Sequence, residues 1–189
     1  MQREKLDLTE KDGYDALKGH VYERALTARQ RYGPDFDEQA IRGMLRDAEV
    51  VRFPTELVFD DAGLMPGEFA WPRPKGERPT DGYQLVVHPY FAGRWEVLAL
   101  LVAYQVPAIN YLDVATHEEA ELFGATLLGM DVEAYYERIC RLADSIPGAP
   151  AHDPMLASRF EEAMAGATGS ATETSGGCGK PGCGGGSCS

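Results

Sequence analysis

From Ala165 to Ser189 the chain contains no Val, Leu, Ile, Met or aromatic residue. A stretch with no large apolar side chain to bury cannot offset the entropy of ordering its own backbone. Any hydrophobic core must therefore come from the residues before it. With 189 residues and 44% hydrophobic content, the chain has the size and composition of one ordinary domain plus a short appendage. The organisation predicted is an acidic globular domain over 1–147, a linker with a short helix over 148–164, and a disordered Gly/Cys-rich tail over 165–189.

Charge narrows the partners. The 18 basic and 30 acidic residues leave a formal charge of −12, and Glu173 and Lys180 cancel within the tail, so the acidity belongs to the folded part. Such a surface repels phosphate backbones and anionic headgroups, which argues against nucleic acid and membranes and in favour of cations and basic proteins. Arg3, Glu4, Lys5 and Asp7 interrupt the N-terminal residues, leaving no apolar run of the signal-peptide kind and predicting a cytoplasmic protein. The longest apolar stretch, Val97 to Tyr104, is shorter than the roughly 20 residues that span a bilayer.

Periodicity supplies the elements. Tyr14, Leu17, Val21, Ala25 and Ala28 fall at helical spacing up to Tyr32, and Gly33-Pro34 is the stop. A second helix opens with Asp35 as its cap and carries Ile41, Met44, Leu45 and Ala48 on one face. Glu56–Phe59 and Leu64–Ala70 read as a hairpin around Asp60 to Gly63, Trp71–Gly82 as an irregular proline-rich excursion, and Tyr83–His88 as a third strand. Trp95–Val106 is apolar nearly all round and predicts a buried helix ending before Pro107. Thr116 and Glu119 form a capping box for a helix closed by Gly129, and Asp131 caps a last helix with a stripe running from Val132 to Ala143. The fold class expected is α+β, with five to six helices on a small, about three-stranded antiparallel sheet.

The most specific chemistry lies in the tail, where Cys178, Cys183 and Cys188 recur at every fifth residue among glycines. Clustered thiols in a reducing compartment more often hold metal or do redox chemistry than form structural disulfides, and an odd number cannot pair completely. Thiolates suit a soft ion such as Zn or Cu(I), or an iron–sulfur cluster, and flanking glycines allow the tight turns of a chelate loop. The spacing is wider than that of stable zinc knuckles and a fourth ligand is missing; His152 is the nearest histidine in sequence. A site with an open position can exchange its ion with another protein, which points to a metallochaperone or cluster-assembly factor with a client that receives the metal.

Two alternatives use other residues. His117 and Glu121 lie one helical turn apart, where two side chains can share an ion, and His88 ends a strand before Pro89, where a side chain can point into a cleft; together they would form the site of a metal-dependent enzyme. Against this, acids beside Thr116 are favoured simply by the helix N-terminus, and no His-Glu-x-x-His motif is present. The other alternative is a protein whose Cys-rich tail is modified or cleaved by another enzyme. Cys140 is expected in the core, and Tyr104, Gln105, Asn110 and Tyr111 are expected to form a polar group around Pro107. The chain has no phosphate loop, nucleophile elbow or dinucleotide fingerprint, so no sequence motif names a reaction.

Overall fold

Thr9 starts the first helix, its hydroxyl accepting the Asp12 amide while the Asp12 carboxylate accepts the Thr9 amide at 2.8 Å. This reciprocal cap satisfies two groups that a helix start leaves without partners. It also explains why α1 (Glu10–Tyr32) begins a turn before the apolar spacing does. The computed structural model describes residues 9–148, all within one compact unit. The linker helix and tail expected after residue 148 lie outside the described residues. α1 buries Val21, Ala25 and Ala28 and stops at Gly33, whose amide donates to the Arg29 carbonyl.

α2 (Glu38–Met44) is capped by Asp37, not by Asp35. Phe36 between the two aspartates is drawn into the core, so the chain enters the helix only after it, and the Asp37 Oδ1 accepts the Ala40 amide at 2.8 Å.

The sheet is mixed, not antiparallel. β1 (Thr55–Phe59), β2 (Ala70–Pro74) and β3 (Tyr83–Val87) lie in the order β1-β3-β2, with β1 parallel to β3 and β2 antiparallel to it. The hairpin expected between Glu56–Phe59 and Leu64–Ala70 does not form: only Ala70 of the second segment is in a strand, as the start of β2, and β3, where Tyr83, Leu85, Val86 and Val87 are all buried, takes the centre and separates β1 from β2. β2 also occupies residues expected to be irregular. Its prolines fit because hydrogen bonds at His88–Phe69 and Lys75–Gly82 fix the ladder phase, turning the backbone nitrogens of Pro72 and Pro74 toward the open edge. An edge that lacks those N–H groups is also a poor template for another strand. Gly82 enters β3 at φ +88, and a Cβ there would stand 2.6 Å from the Pro54 carbonyl oxygen, so the position requires glycine.

α3 (Trp95–Tyr111) runs through Pro107 instead of ending before it. Pro107 is itself buried, and so are Val106, Ile109 and Asn110 around it, so packing holds the turn that the missing N–H weakens. With the turn that follows, Trp95–Val114 is long and apolar enough by composition to cross a membrane, and 56% of that window is buried inside this structure. Its apolar character on every side matches its contacts with α2, β2, β3, α4 (His117–Leu128) and α5 (Val132–Asp144). α4 in turn packs against α1, α3 and α5.

Leu98 and Leu101 of α3 and Phe123 and Leu127 of α4 are fully buried, and each such side chain contributes about 1.5–3 kcal/mol relative to exposure. The capping box of α4 and its left-handed Gly129, at φ +67, occur as the sequence predicts. α5 is narrower than its apolar stripe suggests: Tyr135 and Ile139 are buried, whereas Val132 and Tyr136 remain exposed.

Candidate functional site

At the start of α4, the candidates His117 and Glu121 flank two acids, Glu118 and Glu119, that have structural roles. Glu119 closes the box, its Oε2 accepting the Thr116 amide at 2.9 Å and the Thr116 hydroxyl at 2.7 Å, and its side chain is fully buried. Glu118 accepts the Tyr14 hydroxyl and the Lys18 ammonium, the latter at 2.9 Å, and so ties α4 to α1. These two bonds hold its carboxyl below the usual range. His117 remains exposed at the first position of α4.

Glu121 is half-buried one turn further on. Burial raises its pKa, while nearby His117 acts in the opposite direction and Glu118 and Glu133 reinforce the rise. His117 and Glu121 are thus electrostatic neighbours, as their spacing implies. Glu118 cannot join them as a free ligand without releasing Tyr14 and Lys18.

His88 directly follows β3 and lines a cleft of about 210 Å³ together with Asp61, Met65, Gly67 and Ile146. Its Nδ1 accepts the Tyr90 amide at 3.2 Å, so the imidazole caps the short helical turn Pro89–Phe91. In the neutral ring this assigns the proton to Nε2. Among the described residues, no three His, Cys, Asp or Glu side chains are placed to hold one metal ion, so His88, His117 and Glu121 do not form a common centre there. His152, Cys178, Cys183 and Cys188 lie outside the described residues.

The polar residues around Pro107 join elements together. Gln105 donates to the Ala70 carbonyl of β2 at 3.1 Å, and the Tyr111 hydroxyl meets His20 Nδ1 on α1 at 3.1 Å. Asn110 accepts the Arg52 amide at 2.6 Å and donates to the Val50 carbonyl at 2.8 Å, reproducing with one side chain the pairing of a strand neighbour. Tyr104 packs edge-on against Phe69, with ring centroids 5.7 Å apart. Cys140 is half-buried on α5, and its thiol meets the Tyr136 hydroxyl, which raises that phenol's pKa.

A second concavity joins segments that no local motif links. A groove of about 390 Å³ runs between the loop entering α2, the first turn of α3 and the end of α4. Phe36, Trp95 and Leu128 form its apolar lining, and Asp35, Asp37 and Glu96 stand in its wall. The sequence offers the acid–aromatic pairs Asp35-Phe36-Asp37 and Trp95-Glu96 as separate local features, and only folding sets one against the other. Comparison of the chain with protein-family models, curated proteins and solved structures finds no match in any of the three.

Proposed function

We propose that the protein is a cytoplasmic metal-handling accessory protein, a metallochaperone or an iron–sulfur assembly factor, that holds a soft ion or cluster through Cys178, Cys183 and Cys188 and passes it to a client. The observation that carries this proposal is the regular recurrence of three thiols in a glycine-rich segment that lacks large apolar side chains. Thiols release their protons and bind such ions tightly as thiolates, and glycine leaves the backbone free to close around the metal. Three protein ligands leave one position of a tetrahedral ion for His152, a small thiol or a residue of the client. Exchange at that open position is the chemical step by which the ion would move, with one metal–ligand bond forming as another breaks.

The test is elemental analysis and an absorption spectrum of the full-length protein, purified without oxygen, beside its Cys178→Ser/Cys183→Ser/Cys188→Ser variant. Roughly one ion or cluster per chain is expected in the parent and little in the variant. Thiolate-to-metal charge transfer separates iron–sulfur from spectroscopically silent Zn or Cu(I). Equal metal content in parent and variant overturns the proposal.

A further inference from the structure

The geometry points to the groove over Phe36, Trp95 and Leu128 as the client's docking site, and to an arginine or lysine side chain of an extended partner segment as its occupant. This inference rests on the proposal that the acidic domain receives a client. The groove offers both halves of what a long basic side chain needs: apolar surface for the stem and carboxylates for the head. Asp35 and Glu96 have no hydrogen-bond or ion-pair partner among the described residues, whereas Asp37 is engaged by the Ala40 amide. The cationic head would therefore sit between Asp35 and Glu96.

Trp95 already serves as a platform for a cation within the fold. The Arg42 guanidinium stands 6.0 Å from the ring centroid and is held there by Glu38 at 2.9 Å. With Arg42 already on this ring, the incoming head would be held by the two free carboxylates and the indole would pack against the stem. The chain's charge of −12 extends this complementarity beyond the groove, speeding approach of a basic segment and repelling an acidic one.

The experiment uses the full-length protein carrying Trp71→Phe, which leaves Trp95 as its sole indole. The probe is a capped hexapeptide alternating leucine with arginine, titrated while Trp95 emission is recorded. Saturable binding is expected. Asp35→Asn with Glu96→Gln should weaken it about tenfold, and salt of about 0.5 M should have a similar effect. Leu128→Lys, which places a like charge in the groove, should also weaken it. A peptide with glutamate in place of arginine should not bind.

Failure of the arginine peptide to bind overturns the inference, as does unchanged affinity in both variants or equal binding of the glutamate peptide. Metal content measured on the same preparations keeps the two proposals apart. Normal metal content without peptide binding refutes the groove alone, and peptide binding without metal refutes the thiol tail alone.

Discussion

Tyr135 of α5 lies directly across Gly124 of α4, so closely that a Cβ on Gly124 would stand 2.0 Å from the Tyr135 ring, and its hydroxyl reaches past the helix to donate to the Leu100 carbonyl at 2.7 Å. One fully buried phenol therefore fixes α3, α4 and α5 relative to one another. The missing side chain of Gly124 is what lets it pass.

Gly124→Ala should destabilise the protein by about 2–3 kcal/mol, because overpacking against a buried ring outweighs the gain in helix propensity of about 1 kcal/mol. Tyr135→Phe keeps the ring and loses only the bond to Leu100, so a smaller cost of about 1 kcal/mol is expected. Urea denaturation of both variants checks the order; an equal or greater loss for Tyr135→Phe would contradict this packing.

Asn110 replaces a strand neighbour for Val50 and Arg52. Asn110→Leu should cost about 1–3 kcal/mol, since it leaves the part-buried Arg52 N–H without a partner and the Val50 C=O with only the Arg24 guanidinium at 3.3 Å. Hydrogen exchange should report the loss locally, with the Arg52 amide losing protection in the variant before the helical amides do.

Asp47 joins the end of α1 to the turn after α2, accepting Arg31 at 2.8 Å, the Tyr32 hydroxyl at 3.0 Å and the Glu49 amide at 2.9 Å. Burial works to raise its pKa, but these partners outweigh burial and the net shift is downward from 3.8. A carboxyl lowered on folding contributes stability that is complete above its unfolded pKa and is lost as pH falls through the folded value. Asp47→Asn should therefore destabilise the protein at neutral pH and flatten the acid side of its stability profile below about pH 4. An acid limb of unchanged steepness would count against this assignment.

Glu121 behaves in the opposite sense. Its pKa is raised above 4.5, mainly by burial, so the folded state favours the protonated acid. The resulting stabilisation is present below the unfolded pKa and lost as pH rises through the folded one. Glu121→Gln should raise the urea midpoint at neutral pH and have little effect below about pH 4, where both side chains are neutral. A neutral-pH midpoint that fell instead would show the carboxylate forming an interaction that outweighs its burial.

Much of the fold was legible in local patterns. The Thr116–Glu119 box, Gly129 at the end of α4, Asp131 before α5 and the Gly33-Pro34 stop all depend on a few adjacent residues whose side chains meet neighbouring backbone. The failures have tertiary causes: Phe36 needed the core before the cap of α2 could be placed, and Pro107 needed its buried surroundings before α3 could continue. Pro72 and Pro74 needed a partner strand before their nitrogens could be seen to face outward.

The candidate sites divide in the same way. His117 and Glu121 were legible as neighbours because one helical turn separates them, whereas the isolation of His88 from a common metal centre and the groove at Trp95 depend on contacts between distant segments. By itself the sequence determined the helix caps, the acidic charge and the thiol composition of the tail, because these are properties of short segments or of simple sums. Only the tertiary structure decided the centre of the sheet, the course of α3 through proline and the placing of Asp35 and Glu96 on one groove, because burial and long-range pairing exist only once the chain has packed.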